Sequence, residues 1–361
     1  MEIAVDIQAA TPNRRLGGAG LRRGIRRGDG GGGSGPPVPV NTSPPTINAD
    51  PQIGQVISYT PGTWTGTPSL SYEVYRGGVL IPGADQTYVY VAADIGPGIT
   101  LRELDSVSGT SATSAPRAWT PETPGSLRCW LEDAFVLTDS DTLVEMWIDL
   151  SANSDADFEQ ITTALKPLYT ASNPNFDGRP SIRTDGINDS LLSILAPSVW
   201  RFLHDGTGMV IAGATRTRTV PALGTLLSSG TTSAAVGLAI FQQSAADIWR
   251  FFMGNGTGFP VDNSTPGGSC ADNTRYDFVT GHATAASPVQ YFRTNGTQID
   301  TQANNAVAPA AGDPTGTLRL FAIQLNNGSF LSIDAACFLF YNSDVRAKNA
   351  DIEAWMAWRF T

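Results

Sequence analysis

Turn-forming pairs interrupt this chain before any regular element can grow long: Pro61-Gly62, Gly77-Gly78, Pro82-Gly83, Gly96-Pro97-Gly98, Asp177-Gly178, Asp185-Gly186 and Asn295-Gly296. Glycine tolerates positive φ and proline presets the first corner of a turn, so each pair reads as a reversal of direction. Between them lie short runs that alternate apolar and polar, the period of a half-buried strand. With 38 Gly, 24 Pro and only 16% charged residues in 361, the chain reads as many short strands joined by tight turns. The expected fold class is all-β, and the length leaves room for two domains with ample cores.

Strands are expected at 53–59, 70–76, 78–81, 87–91 and 99–107, and then at 143–150, 181–183, 209–214, 236–242, 249–253, 276–282, 289–294, 318–323 and 330–341. Asn295-Gly296, following Val289–Thr294, is a hairpin signal. One helix is expected, over 343–360, with Ser343 as its N-cap, Asp344 in its first turn, and Val345, Ile352, Trp355, Met356 and Phe360 at helical spacing.

Residues 1–40 are built differently. Ile3, Val5 and Ile7 alternate, the pairs Arg14-Arg15, Arg22-Arg23 and Arg26-Arg27 follow, and GDGGGGSGPPVPV then forms a flexible tether and a stiffer proline spacer. Free in solution such an arm is expected to be disordered. Three readings compete: a solvated tail, nucleic-acid binding by the arginines, and an anchor. In the favoured anchor reading, Ile3, Val5 and Ile7 add a strand to a partner's sheet edge or fill a groove, while Arg14, Arg15, Arg22, Arg23, Arg26 and Arg27 meet an acidic surface. The net charge of −10 argues against nucleic acid as a partner of the folded body.

The segment PPTINADPQIGQVISYTPGTWTGTPSLSYEVYRGGVLIPGADQTYVYVAADIGPGITLRE resembles bacterial and phage immunoglobulin-like domains, with Val74 where that family often has a core tryptophan and no cysteine pair. Trp64 reads as a core or edge residue. Further on, MWIDLSAN (Met146–Asn153), then NPNFDGRPSIRTDGINDSLLS, ending at Ser193, then the closing segment Asn342–Phe360 resemble, in order, motifs of concanavalin A-like (laminin-G-like) jelly-roll domains. That resemblance covers roughly residues 126–361. It implies an immunoglobulin-like β-sandwich at 41–119, a linker at 120–126 and a jelly-roll sandwich at 127–361, with the arm disordered or ordered by a partner and a short C-terminal helix. Trp355 and Trp358 are expected to anchor that helix.

Enzymes also use the jelly roll, but the E-x-D-x-x-E strand that aligns two catalytic carboxylates is absent. Glu103 and Asp105 begin such a pattern without its third member, and Glu145 and Asp149 are expected on one strand face without a partner. With His204 and His282 the only histidines and no nucleophile elbow, no catalytic residue is assigned and the chain is expected not to be an enzyme. Neither zinc nor phosphate-loop motifs occur, so no cofactor is expected, calcium excepted. Asp185, Asn188 and Asp189 place three oxygen donors on one turn, where calcium or sugar hydroxyls are the candidate ligands; the competing reading is that they satisfy the turn's own backbone. The loops 254–259 and 262–272 are expected at the sandwich rim.

Cys129, Cys270 and Cys337 have no framework or metal spacing and are expected as buried free thiols. MEIAVDIQAATPNRR has no apolar core of a signal peptide and no run approaches a membrane span, so neither export nor membrane contact is expected. The resemblances, together with the arm, imply a tailed-phage virion protein assembled in the bacterial cytoplasm and displayed at the virion surface. The favoured form is a capsid decoration or head-fibre protein whose arm grips the major capsid protein or a portal or tail protein, with host surface glycans as outward partners and a homo-oligomer compatible. A tail fibre at the tail tip and a carbohydrate-active cell-surface enzyme are the alternatives.

Overall fold

The computed structural model describes residues 37–48, 51–140, 142–230, 235–257, 261–282, 289–303, 312–323 and 329–360. All nine arm residues named above therefore lie outside the described residues. From Val38 onward the chain forms one compact unit, and its described residues are all-β apart from short 3₁₀ turns and one terminal helix. It is a jelly-roll sandwich with a smaller β region packed on it.

Strand Ser332–Tyr341, SIDAACFLFY, organises the sandwich. It pairs antiparallel with Met209–Thr219 on one side and with Leu127–Thr138 and Arg179–Arg183 on the other. Beyond Met209–Thr219 the sheet continues through Arg275–His282, Val289–Thr294 and Thr297–Ala303. The strand Leu127–Thr138 then passes between the two leaves: its first half pairs with Ser332–Tyr341 and its second half with Val144–Asp149. From there the second leaf runs through Phe158–Glu159, Leu191–Ser193, Arg319–Leu320, Gly224–Ser228, Gly237–Gln243, Ile248–Gly254 and Val261–Ser264.

An aromatic spine fills the space between the leaves. Trp249 stacks on Phe292 at 5.2 Å, Phe278 meets Phe292 at 6.0 Å and Phe338 at 6.2 Å, and Phe338 leads through Phe340 to Trp200 at 5.5 Å. Such ring pairs add to the area term that dominates core stability. The outer face of the first leaf is equally apolar: Val210, Ala212, Ala214, Val279, Ala336, Cys337, Leu339 and Tyr341 are buried there beneath Ile352, Trp355, Met356 and Phe360 of the helix Asn349–Phe360. Trp355 meets Trp130 edge-on at 5.7 Å, the anchoring expected of it. The three cysteines are free and buried, as expected.

The smaller region contains a four-stranded antiparallel sheet, Val79–Leu80, Leu70–Arg76, Ile99–Asp105 and Ser111–Thr113, and two short ladders. Its apolar residues Ile57, Val74, Tyr90, Ile95, Ile99, Leu101 and Trp119 join the same cluster as the sandwich's outer face, so one core runs through both. Polar contacts fasten the junction: the Ile53 amide donates to Asp351 Oδ1 at 2.9 Å, and the Tyr341 hydroxyl to the Pro121 carbonyl at 3.1 Å. Val74 fills the centre with no exposed surface, and Trp64 is half-buried with its indole N–H on Glu103.

Several expectations need correcting. The runs 53–59 and 87–91 are mostly irregular, paired through a Val56–Val89 bridge and the Gly54 amide on the Tyr90 carbonyl at 2.9 Å, because Gly54 sits at φ +82° and the Asp85 carboxylate captures the Thr87 amide and hydroxyl. Asp262 lies on the strand Val261–Ser264 rather than in a rim loop. The helix begins at Asn349, not after Ser343, since Asp344 takes up the Arg346 amide and holds a 3₁₀ turn ahead of it. Leu127–Thr138 has no reading among the expected strands, because it buries Glu132 and Asp133 while exposing Phe135 and Leu137.

Trp358, expected as an anchor, does pack, but against Gly96 of the smaller region. A Cβ at that glycine would lie 2.1 Å from the indole Cε2, and its φ is +87°. Gly96→Ala therefore meets both a clash and a disfavoured backbone, and denaturant titration should show a loss of roughly 2–3 kcal/mol. An unchanged midpoint would mean that Trp358 does not sit there in solution.

Candidate functional site

A large hollow opens beside the C-terminal helix, where the smaller region and the edge of the first leaf converge. Its volume is about 720 Å³. The helix contributes Ala350, Glu353, Ala354 and Ala357, spaced so that one face carries small side chains around a single carboxylate. Arg275 and Asp277 come from alternate positions of one strand and so share a face, and Arg293 lies near the end of the next strand. Asn295 (φ 49°) and Gly296 (φ 79°) form the tight turn that the sequence signalled, and Ile53 and Ala92 close the apolar side.

Every ionic group here is paired. Arg275 binds Asp277 through Nε at 3.0 Å and Nη2 at 2.8 Å, and its guanidinium lies over the Phe176 ring at 5.4 Å. Arg293 forks onto Glu353 at 2.7 and 2.9 Å and also donates to the Gly296 carbonyl at 2.8 Å. Asn295 Oδ1 accepts the Asp277 amide at 2.9 Å, which ties the turn to the strand. Burial pushes the Asp277 carboxyl up against the opposing pull of Arg275, while the bond to Glu353 holds the Arg293 guanidinium more firmly protonated. The cleft thus presents fixed donors and acceptors with its charges balanced. A second hollow of about 340 Å³, lined by Tyr291, Gln298, Thr301 and Arg346, shares Arg293 and Ala350 with it.

The turn singled out by the sequence lies elsewhere, and its side chains bond mainly to nearby backbone. Asp185 Oδ1 accepts the amides of Ile187 at 2.7 Å and Asn188 at 3.3 Å. Asp189 Oδ2 accepts the Asp185 amide at 2.8 Å, and the Asn188 side chain donates to the Ala164 carbonyl. Among the described residues no three His, Cys, Asp or Glu side chains gather as a metal site, and no helix is long and apolar enough to cross a membrane.

Glu145 and Asp149 do not share a face as expected. Register shifts on either side of Trp147 break the alternation, leaving Glu145 outward on Lys166 at 2.8 Å and Asp149 inward on the amides of Trp130, Ser151 and Ala156. Glu103 and Asp105 likewise cap backbone amides, at Gly62 and at Ser69 and Ser108. His204 is buried with Nε2 on the Gly312 carbonyl, and burial lowers its pKa. The residues that do line the cleft went unread because Arg275, Arg293 and Glu353 meet only after three segments are packed together. The Asn295-Gly296 signal and the helix were the two hints available.

No family model and no curated protein matches this chain. Solved structures do. A Trypanosoma rangeli sialidase in complex with 2,3-difluoro-KDN aligns with TM-score 0.44 at 12% identity over 67% of this chain and 33% of that one. The binding domain of Paraclostridial Mosquitocidal Protein 1 aligns with TM-score 0.47 at 15% identity over 64% and 52%. A structure titled for the dependence of botulinum neurotoxin type C cell entry on two ganglioside molecules aligns with TM-score 0.40 at 11% identity over 64% and 51%. The chain thus spans a third to a half of the proteins it resembles. It is a protein of the all-β jelly-roll class. The expectation that the chain is not an enzyme is corrected on this point: the first three of these solved structures are sialidases, matched at 12% identity, beside binding domains.

Burial of Asp189 raises its pKa from 3.8 to about 6. The folded protein then holds this proton more tightly than the unfolded chain does, so stability falls as pH rises from about 4 to 6, by up to about 3 kcal/mol. Urea midpoints at pH 4 and pH 7 should differ less in Asp189→Asn than in the parent, because the amide keeps the bond to the Asp185 amide and cannot ionise. Equal differences would refute the assignment.

Proposed function

We propose that this chain is a carbohydrate-binding protein, and that the cleft beside the C-terminal helix takes the sugar. The observation that carries the reading is the cleft's lining: two guanidinium–carboxylate pairs and an amide on one side, isoleucine and alanines on the other. Sugar hydroxyls donate and accept at once, so they pair best with donors and acceptors held side by side, while the ring's C–H face takes the apolar wall. Because the pairs are already locked to each other and to the backbone, little ordering entropy is lost on binding.

In this reading the smaller region is an immunoglobulin-like spacer at 41–119, fixed to the sandwich by the common core. Residues 1–40 are the anchor that holds the protein on a phage particle, in the capsid-decoration or head-fibre setting. Many copies on one shell would make weak single sites effective through multivalency. Asp185, Asn188 and Asp189 stay outside the proposed contact set.

Two experiments test the reading. Arg293→Lys with Glu353→Gln removes the forked geometry while keeping size, and calorimetry on a glycan found by array screening should show at least a tenfold loss of affinity, about 1.4 kcal/mol; parental affinity would exclude the cleft. Deleting residues 1–35 should abolish attachment to purified particles while the remaining chain stays folded by circular dichroism. Retained attachment would end the anchor assignment, and density only at the tail tip would move the protein there.

A further inference from the structure

A separate hollow of about 300 Å³ lies at the C-terminal end of the same helix and shares no lining residue with the cleft. It is formed by Asp177, Arg179, Trp358 and Arg359. Of the eight tryptophans in the chain, Trp358 alone is exposed, at 46%. Its ring is held in place by the Gly96 backbone, where only glycine leaves room for it. An indole fixed in orientation and left open to solvent is a flat apolar platform with an N–H at its rim.

The charges around that platform are unequal in their commitments. Arg179 forks onto the buried Asp133 at 2.9 and 3.1 Å, and Arg359 is bound to the buried Glu132. Asp177, by contrast, sits exposed in a left-handed turn at φ +53°. Among the described residues its carboxylate has neither a hydrogen bond nor an ion pair. The turn itself is not adrift: Phe176 beside it is buried edge-on against Phe360 of the helix at 6.3 Å, and the Gly178 amide donates to the Asn173 carbonyl. A rigid turn therefore presents an unused acceptor beside a rigid aromatic surface. With two arginines set against Glu132, Asp133 and Asp177, the local balance is one negative charge.

We infer that this hollow is a second sugar subsite, selective for an uncharged pyranose, which stacks a C–H face on Trp358 and donates hydroxyl protons to Asp177. The inference takes its ligand class from the glycan-binding reading and extends it to a second, independent site. The negative balance disfavours carboxylated or sulfated sugars, which would meet Asp177 with both guanidiniums already occupied. It also gives the Asp177-Gly178 turn a role beyond reversing the chain. One chain would then engage a branched or clustered glycan at two points.

The test uses the full chain labelled with ¹⁵N and follows the indole N–H resonances while methyl glucoside, methyl galactoside and methyl N-acetylglucosaminide are titrated in turn. Trp358→Phe assigns the relevant signal. A saturable shift of the Trp358 signal with at least one neutral glycoside is expected. Asp177→Asn, whose side chain tolerates the same left-handed turn, should weaken it at least tenfold without moving Tm, and a 6-sulfated form of the same sugar should bind at least tenfold more weakly. In R293K/E353Q the Trp358 titration should be unchanged. A Trp358 signal that ignores all three glycosides overturns the inference, and leaves the cleft reading standing if R293K/E353Q still weakens the array ligand. A parental titration in D177N, preference for the sulfated sugar, or loss of the Trp358 shift in R293K/E353Q each overturns it as well.

Discussion

Burial on both faces of strand Ser332–Tyr341 is the constraint from which the rest of the architecture follows. Ile333, Ala335, Phe338 and Phe340 face the aromatic spine, while Ala336, Cys337, Leu339 and Tyr341 face outward into a second apolar layer. A half-buried sheet would alternate with polar residues on one side; this strand does not, so its outer face must be covered. The C-terminal helix supplies the first cover and the smaller β region completes it. The chain is therefore three layers deep at this point, and its two β regions are not beads on a linker.

That packing also decides where the surface is hollow. A helix laid across a sheet leaves a furrow along each flank, and here both are lined by guanidinium–carboxylate pairs: Arg275–Asp277 and Arg293–Glu353 on one, Arg179–Asp133 and Arg359–Glu132 towards the other. The pairs have a structural duty, since a carboxylate on a mostly apolar face costs several kcal/mol unless a partner and hydrogen bonds offset its lost hydration. Once paired, the same groups form a neutral and immobile polar lining. In the proposed reading, structural need and recognition chemistry coincide there.

The distribution of small residues serves the same geometry. Ala350, Ala354 and Ala357 keep one helix face shallow, which is what opens the 720 Å³ cleft. Gly96 does the reverse on its side, letting an indole lie directly on the backbone. A single methyl at either kind of position changes the shape of the surface without altering the fold's connectivity.

Local physics made much of this protein legible from its residues. Turn chemistry placed the Asn295-Gly296 hairpin, period-two patterning located Leu70–Arg76 and Val289–Thr294, and helical spacing identified Ile352, Trp355, Met356 and Phe360 as a buried stripe, because each signal depends on neighbours a few positions apart. Where tertiary contacts reverse the local rule, the reading failed. Leu127–Thr138 buries two acids and exposes Phe135 and Leu137, bulges turn Glu145 away from Asp149, and the Ile53–Tyr59 run bends at Gly54. The cleft lay beyond sequence reasoning altogether, since Ile53, Arg275, Arg293 and Glu353 span 300 positions of chain and are joined only by packing on a shared core. Sequence alone determined that this would be a strand-and-turn protein closed by one amphipathic helix. Only the folded arrangement decided which charges meet, because partner choice depends on distances that no one-dimensional pattern contains.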